Sequence, residues 1–437
     1  MNCSSSVPAH SVSVKPNMNE QRRRLLLSSL IDQHIKQQGA RMHTFKFDMY
    51  QTLALAVAAL LLGSWMRKKI SFLTRFCIPA PVVGGLVFAI VTCILYSFGI
   101  VTITFDDTLR EVCMVFFFTS VGFQANLKVL KSGGKDLIVF LGVVIVLIIC
   151  QNLLAVGLSK QLHLSPLIGM CTGSIPMVGG HGTAGAFGPV LEDFGVKGAT
   201  TIATAAATYG LISGSLIGGP IGGHLIKKYN LMNTVHEEDD SILVEDEQKH
   251  EREVSMYPAA VFQLIIAVGI GTVFSYLLSK TGMTFPIYIG AMIAAALIRN
   301  IGEYTGKIRI CMGEINDLGG ISLSLFLGIA MITLQIWQLA ALALPMIILL
   351  LAQTLFMIFY SDIVTFRVLG KDYDAAIIVS GICGFGMGAT PNAMANMQAL
   401  CDKYVMSVKA FLIIPIVGSL FADFLNSLIV TFFINIL

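Results

Sequence analysis

Charged residues are scarce in this sequence: they make up 13% of its 437 residues, whereas soluble domains carry about 25%. Hydrophobic residues account for 55%, and the mean hydropathy is +0.78. The formal net charge is only +3, so nothing indicates nucleic-acid binding. This composition excludes an ordinary soluble domain and predicts a polytopic protein whose main partner is the lipid bilayer.

Motifs for catalysis and for metal binding are also missing. The nine cysteines are scattered through apolar runs and form no CxxC pair, so they predict neither a disulfide framework nor a zinc site. No HExxH sequence, Walker A sequence or serine-protease-like triad occurs. We therefore expect no enzyme and no bound cofactor.

The apolar segments come in two sets that are separated by an acidic stretch. Residues 1–45 read as an N-terminal extension, disordered or a surface helix, before the first set at 46–229. Residues 230–256 contain nine carboxylates, which predicts a flexible cytoplasmic linker before the second set at 257–437. The predicted membrane segments are about 50–66, 80–99, 110–127, 136–158, 166–190, 199–226, 257–279, 285–299, 315–336, 339–366, 375–398 and 408–436.

The second set repeats the first. Thr390 follows Thr183 by 207 residues, and the same offset relates Tyr257 to Tyr50. Lys and Arg concentrate in alternate loops only if each half has five spans and one segment that enters and leaves on the same face. Five is odd, so the halves would be inverted. The predicted fold is an all-α membrane protein of two inverted repeats, each with about five transmembrane helices and one re-entrant hairpin or discontinuous helix.

The two expected re-entrant hairpins, at 166–190 and 375–398, are rich in glycine. Glycine costs about 1 kcal/mol in a helix interior and proline about 3, so Pro176 and the glycines after it predict an opened backbone. Inside a bilayer such a break requires protein or water to satisfy its polar groups. Two broken helices in matching positions are typical of a transporter's binding site.

Glycines and polar side chains in these hairpins are the candidates for substrate binding. We expect Thr183 to begin a half-helix and Pro391 to stand at the start of another. Helix N-termini bind carboxylates, which predicts an anionic substrate. His181 adds a donor or a positive charge, or is a neutral structural residue; both interpretations stand. The candidate set is Gly179, Gly180, His181, Gly182, Thr183, Gly384, Gly386, Gly388, Thr390, Pro391 and Asn392.

Polar side chains inside predicted spans are the candidates for cation coupling. Asp423 and Asn426 share one helical face, and an acid at mid-bilayer is a functional residue by default. The side-chain oxygens of Asp423 and Asn426 suit a sodium ion. The rival interpretation is that the Asp423 carboxylate carries a proton. Gln151-Asn152 and Gln353-Thr354 stand in related places of the two halves. We expect them either to complete cation or substrate sites or to join helices by hydrogen bonds. The candidate sodium set is Asp423, Asn426, Asn152, Gln151, Gln353 and Thr354.

Four glycines recur at every fourth residue of one predicted span: Gly210, Gly214, Gly218 and Gly222. Small residues at this spacing permit close helix approach. We expect this face to pack inside the bundle rather than to form a dimer seam.

Several longer motifs resemble those of the bacterial sodium/glutamate symporter family, over about residues 42–437. They are Ile78-Pro-Ala-Pro-Val-Val-Gly-Gly85, Gly179-Gly-His-Gly-Thr183, Leu344-Pro-Met346, Gly384-Phe-Gly-Met-Gly-Ala-Thr-Pro391 and Ala395-Asn-Met-Gln398. The resemblance implies a multi-pass protein of the bacterial inner membrane that is a homodimer and takes up glutamate with sodium as the coupling ion. By this resemblance Gly179–Thr183 and Gly384–Asn392 are the re-entrant site elements, and Asp423 matches an acid in the family's last span.

The sequence departs from the family in two places. Residues 1–41 are unlike the short N-terminus of the family, and Pro176 stands beside the first motif where a small or hydroxylated residue is expected. The function that we predict is sodium-coupled symport of glutamate with alternating access around the two hairpins, by an elevator-type motion. The alternatives are a sodium-coupled carrier of a 2-hydroxy acid such as citrate or malate, and a sodium/proton antiporter.

Overall fold

The computed structural model describes residues 43–128, 134–234, 254–280, 286–306, 308–337 and 342–437. The N-terminal extension up to residue 42 and most of the acidic linker lie outside these ranges. The predictions made for those two segments are therefore not addressed below.

The first half consists of helices joined by short loops. Helix α1 begins at a capping box, in which Asp48 accepts from the Gln51 N–H and the Gln51 side chain accepts from the Asp48 N–H, and ends in three basic residues. The helices are α1 (Met49–Lys69), α2 (Ser71–Arg75), α3 (Ala80–Ser97), α4 (Thr108–Gln124), α5 (Gly134–Gln161), α6 (Pro166–Met170), α7 (Ser174–Met177), α8 (Gly180–Asp193) and α9 (Ala199–Lys228).

The second half also consists of helices joined by short loops. They are α10 (Tyr257–Ser279), α11 (Ile287–Thr305), α12 (Met312–Ile332), α13 (Ala343–Tyr360), α14 (Phe366–Val368), α15 (Tyr373–Phe385), α16 (Thr390–Cys401), α17 (Val408–Pro415) and α18 (Asp423–Ile436). Two π-helical segments, Ser361–Thr365 and Ile416–Ala422, join α13 to α14 and α17 to α18. Short 3₁₀ turns at Leu231–Thr234 and Val254–Met256 flank the linker.

Seven helices of the described ranges are long and apolar enough to cross a membrane. The α17 and α18 pair, bent by 44°, makes an eighth span if it is counted as one. The other two of the ten predicted spans correspond to α4, which has 17 residues, and α11, which carries an Arg299–Glu303 ion pair of 2.8 Å near its end. The all-helical membrane fold is thus confirmed, and these two spans stay predictions.

One small sheet was not predicted. Strand β1 (His43–Phe47) pairs in parallel with β2 (Val101–Phe105), and the rings of Phe47 and Phe105 stack at 5.7 Å. The predicted N-terminal extension, residues 1–45, ends inside β1. Pairing with a distant strand orders a segment that is too short to be recognised by its periodicity.

The contacts divide the helices into two groups. The first group contains α1, α3 and α4 together with α10, α11 and α12, which pack mainly on one another. The second group contains α5 to α9 and α13 to α18, and α9 packs against α8, α15 and α16 at its centre. Both broken segments lie in the second group, and α8 meets α12 of the first group.

Candidate functional site

The first broken segment is interrupted twice. Helix α6 ends at Met170, α7 occupies only Ser174–Met177 despite Pro176, and α8 begins at Gly180 with φ of +57°. The prediction that the half-helix begins at Thr183 is wrong by three residues, because Gly180 takes the left-handed conformation that starts the helix and the Thr183 N–H donates to Gly179 O. Helix geometry leaves the first N–H groups of α8 without intrahelical acceptors.

The second broken segment is interrupted once. Helix α15 ends at Phe385 and α16 begins at Thr390, so residues 386–389 form the gap. Pro391 stands in the first turn of α16, as predicted. We call residues 178–180, which include the left-handed Gly180 at the start of α8, the first break, and residues 386–389 the second break.

The two breaks touch. A Cβ placed on Gly180 would lie 3.0 Å from the carbonyl oxygen of Gly388. With any other residue at position 180, the Gly388 carbonyl would have to move by a few tenths of an ångström, and the left-handed φ of Gly180 is a further restriction. The candidate substrate residues of both halves therefore meet at one place.

The glycine face of α9 seats the second broken segment. A Cβ on Gly210 would overlap the Met387 carbonyl oxygen, and one on Gly214 would lie 2.8 Å from the Cys383 carbonyl oxygen. Gly218 and Gly222 likewise pack against α15 and α16. The predicted packing of this face inside the bundle is confirmed.

Two predicted amides converge on Ser174 in α7. Asn152 Oδ1 accepts from the Ser174 N–H at 2.8 Å, and Asn426 Nδ2 donates to the Ser174 carbonyl at 3.2 Å. Asn426 also lies beside Gly179, since a Cβ there would be 2.8 Å from its Nδ2. All three polar residues are fully buried. Helices α5 and α18 thus hold the first break between them.

Two further amides converge on the second break. Gln151 Nε2 donates to the Gly386 carbonyl at 2.8 Å, and Gln353 Nε2 donates to the Gln151 carbonyl at 2.9 Å. Because Gln151 precedes Asn152, one turn of α5 contacts both broken segments. The four amides predicted from sequence are therefore brought together around one turn.

Several buried oxygens around the breaks lack a donor within the described chain. They are Gln151 Oε1, Gln353 Oε1, Asn426 Oδ1, Asn392 Oδ1, Ser174 Oγ and Ser380 Oγ. An unpaired buried polar atom costs about 1–3 kcal/mol, and amide and hydroxyl oxygens are ligands that small hard cations accept. The chemistry of this donor set fits a sodium ion.

His181 is buried and bonded to α9. Its Nε2 lies 3.0 Å from Thr208 Oγ1, and that hydroxyl donates to the Thr204 carbonyl. With the hydroxyl proton used on Thr204, the tautomer that fits this contact has its ring proton on Nε2. Nδ1 makes no hydrogen bond with the described residues and is free to accept one.

Of the remaining substrate candidates, Asn392 makes hydrogen bonds to α9 and Gly384 packs within its own segment. Asn392 is buried and donates to the Leu211 carbonyl at 2.9 Å and to Ser215 Oγ at 2.7 Å. Gly384 packs on the backbone at Ala393, which is a close helix contact within the segment. The others lie within the two segments: Thr183 is buried, Gly182 and Thr390 are half-buried, and Pro391 is exposed.

Two sodium candidates lie apart from the amides. The hydroxyl of Thr354 bonds to the Tyr209 hydroxyl at 2.9 Å and to the Leu350 carbonyl. Asp423 is half-buried at the start of α18, and its carboxylate makes no hydrogen bond or ion pair with the described residues. Asp423 precedes Asn426 by three residues, so the carboxylate lies one turn from the Ser174 cluster.

The sequence did not single out Ser174, Thr208 or Ser380. Each acts through a backbone or hydroxyl group that any serine or threonine supplies, so no residue pattern marks it. The π segment at Ile416–Ala422 was also missed, although Pro415 before it and Gly418 within it were available signals. Gly418 lies against Thr390, since a Cβ there would be 2.9 Å from its hydroxyl.

Comparison with known proteins agrees with these observations. The family model described as sodium/glutamate symporter matches residues 45–406. The chain is 37% identical to the sodium/glutamate symporter of Escherichia coli (strain K12) over 393 residues, which cover 89% of this chain and 98% of that protein. It is 37% identical to the sodium/glutamate symporter of Haemophilus influenzae over 389 residues, covering 88% and 96%.

The family consists of transporters, so the prediction of a carrier rather than an enzyme is confirmed. The seven apolar helices agree with the predicted multi-pass protein of the bacterial inner membrane. The match covers both breaks and most of both halves. The chain therefore belongs to the sodium/glutamate symporter family.

Proposed function

We propose that this protein takes up glutamate across the bacterial inner membrane, driven by sodium, with alternating access around two re-entrant hairpins. The observation that carries the proposal is the contact of the two breaks at Gly180 and Gly388 beside a cluster of unpaired amide oxygens. The named function of the relatives supports the choice of substrate and ion.

The first segment, 166–193, has the contacts of a hairpin. Gly169 packs on Ala155 and Gly173 packs on Asn152, so the chain runs back along α5 after leaving its C-terminal end. Helix α8 then ends where Glu192 Oε1 accepts from the Thr200 N–H at the start of α9. The segment therefore runs from the end of α5 to the beginning of α9.

These two helix ends share one face of the membrane. Asp136, at the start of α5, pairs with Lys409 at 2.5 Å, and Gly222, near the end of α9, packs on Leu400. Leu400 and Lys409 flank one short loop, so the start of α5 and the end of α9 lie at the same face. The end of α5 and the start of α9 then lie at the opposite face, which supports a hairpin entering from there.

The second segment, 373–401, has the contacts of a hairpin from the other face. The Tyr373 hydroxyl donates to the Val405 carbonyl, and Ser407 Oγ donates to Asp374 at 2.7 Å. Both ends of this segment thus meet at the loop that precedes Lys409. Hairpins that enter from opposite faces are what inverted repeats require.

Glutamate would bind where the hairpin tips meet. The free N–H groups at the start of α8 and the N–H of Thr390 are donors for its carboxylates, and His181 Nδ1 is an acceptor for its ammonium group. Sodium would bind to the oxygens of Gln151, Gln353, Asn426 and their neighbours, with Asp423 supplying charge. Each sodium in excess of substrate charge adds about 2.3 kcal/mol per 100 mV of membrane potential.

The motion that we propose is movement of the second helix group, which carries both hairpins, against the first. The packing of α8 on α4 and α12 is the sliding contact: a Cβ on Gly182 would lie 3.3 Å from the Phe117 ring of α4 and 3.6 Å from Leu323 of α12. The α8 side of this contact has small residues and the other side has apolar side chains. Sliding there breaks no hydrogen bond of the contact. We also propose that the protein is a homodimer, as the family resemblance implies.

The test is uptake of radiolabelled glutamate into proteoliposomes, with and without an inward sodium gradient, at fixed pH and membrane potential. We expect accumulation only with sodium, inhibition by unlabelled glutamate and no inhibition by citrate or malate. Citrate uptake without glutamate uptake would move the assignment to a 2-hydroxy acid carrier. Proton exchange without uptake of either compound would move it to an antiporter.

A further inference from the structure

A pocket of about 770 Å³ lies in the corner between the end of α1 and α2. The lining residues of each helix stand at positions i, i+3 and i+4, a spacing that places them on one helical face. They are Ser64, Arg67 and Lys68 of α1 and Ser71, Thr74 and Arg75 of α2. The described residues that line the pocket are therefore three hydroxyl-bearing and three cationic side chains. We call it the basic pocket.

The cations of the basic pocket have no acidic partner within the described chain. The sequence contains no acid between Asp48 and Asp106. Arg67, Lys68 and Arg75 make no ion pair and no side-chain hydrogen bond with the described residues. Because three like charges around one pocket repel one another, an anion bound among them is attracted by all three.

The corner is held by a hydrogen bond that does not involve the cationic groups. Thr74 Oγ1 donates to the Arg67 carbonyl at 2.8 Å, which ties α2 to the last turn of α1. The hydroxyls of Ser64 and Ser71 donate to none of the described residues. They remain available as donors, and together with the cations they suit the oxygens of a phosphate group.

The basic pocket is continuous with an apolar face of α1. Leu61 precedes Ser64 by three residues and Lys68 by seven, so it lies on the same face, deeper in the bilayer, and it is exposed. Trp65 and Phe72, which follow the two lining serines, are exposed as well. Exposed aromatic rings at the end of a span are typical of the membrane–water interface, and the basic residues there assign this end of α1 to the cytoplasm. The pocket thus lies at the level of the lipid headgroups of the cytoplasmic leaflet.

We propose that the basic pocket binds the phosphate of an anionic phospholipid whose acyl chains extend along the exposed face of α1. Arginine and lysine form charge-assisted hydrogen bonds with phosphate oxygens, and basic clusters next to a span attract anionic lipids. A zwitterionic headgroup would bring its own cation against three others. The pocket therefore selects lipids with a net negative charge, such as phosphatidylglycerol.

Trp65 makes this binding measurable because it stands beside the pocket and is one of only two tryptophans. The other, Trp337, stacks on Tyr96 near the C-terminal end of α3. The Trp337→Phe protein is reconstituted in phosphatidylcholine bilayers that contain phosphatidylglycerol with brominated acyl chains, which quench nearby tryptophans. The ionic strength is physiological, so that attraction over more than about 8 Å is largely screened. We expect stronger quenching than with the same fraction of brominated phosphatidylcholine.

Two adjacent lysines give a matched comparison. Lys68 lines the pocket, whereas Lys69 is not among the residues that line it, and both are exposed at the end of α1. Lys68→Gln should lower the preference for phosphatidylglycerol about ten-fold, because it removes a charge-assisted hydrogen bond. Arg75→Gln, on α2, should act in the same way, and Lys69→Gln should keep the preference of its parent. Equal losses in the two lysine variants would show attraction by diffuse surface charge and would overturn the pocket.

Three other results would also overturn the proposal. Equal quenching by the two brominated lipids excludes selective binding. Loss of the preference in inorganic phosphate, but not in chloride of equal ionic strength, assigns the pocket to a free anion. A preference that appears only after Glu237→Gln, Glu238→Gln, Asp239→Asn and Asp240→Asn assigns the pocket to the acidic linker. None of these measurements requires transport, so they test the basic pocket independently of the proposed function.

Discussion

Gln151 of α5 donates a hydrogen bond of 2.8 Å from Nε2 to the carbonyl oxygen of Gly386, in the second break. The two residues are 235 positions apart in sequence, and the bond joins the first half of the chain to the broken helix of the second. Neighbouring Asn152 bonds to Ser174 of the first segment. One turn of α5 therefore fixes the position of both broken segments.

Gln151→Leu tests this connection. The substitution leaves the buried Gly386 carbonyl without its donor, which costs about 1–3 kcal/mol, and it removes one amide oxygen from the proposed sodium set. We expect a lower thermal unfolding midpoint and a higher sodium concentration for half-maximal glutamate uptake. Gln161→Leu, at the exposed end of the same helix, is the control. Wild-type sodium activation in Gln151→Leu would exclude a role in coupling.

Gly180→Ala tests the contact of the two breaks. Alanine is disfavoured by about 1–2 kcal/mol at a left-handed φ, and its Cβ would press on the Gly388 carbonyl. Gly195→Ala is the matched control, since Gly195 has φ of +90° and nothing within 4 Å of the added Cβ. Both variants should lose some thermal stability. Only Gly180→Ala should lose glutamate uptake, and equal uptake by the two variants would contradict a site at the tips.

Gly210→Ala tests the seat of the second broken segment on α9. Its Cβ would overlap the Met387 carbonyl oxygen, so α9 and the second break must separate. Gly219→Ala on the same helix meets nothing within 4 Å and should gain up to about 1 kcal/mol from helix propensity. We expect the first variant to lose uptake and unfold at a lower temperature, and the second to retain both. Normal uptake by Gly210→Ala would show that the close approach is not required.

Asp423→Asn tests the charge in the sodium set. Asparagine keeps the side-chain shape and one carbonyl oxygen but removes the negative charge, so sodium dependence of uptake should be lost while the protein stays folded and inserted. Asp193→Asn, an exposed acid at the end of α8, is the control. Uptake should be measured against sodium concentration at two pH values. If glutamate uptake by the wild-type protein depended on pH but not on sodium, the interpretation of Asp423 as a proton carrier would be favoured instead.

Some features of the site follow from local sequence. Glycine and proline disfavour a continuous helix wherever they cluster, so both breaks were predicted, and Pro391 marked the start of α16. The polar amides at 151–152, 353 and 426 stood out because polar groups in apolar spans are costly. The glycine ladder of α9 indicated close packing, although it did not name α15 and α16 as the partner helices.

Other features had no local signal. The acceptors of Gln151, Gln353 and Asn426 are backbone carbonyls, which every residue has, so only the fold selects Gly386, Gln151 and Ser174 as partners. Strand β1 has no local signal either, because its partner strand lies more than fifty residues away.

The sequence by itself determined the membrane class, most of the spans and the places where two helices break, since hydropathy and backbone propensity are local properties. Tertiary structure decided which tips meet, where α8 begins and which buried oxygens of the described residues stay unpaired. These depend on packing at distances of a few ångströms between residues that are hundreds of positions apart in the chain, and such contacts are set by the whole fold.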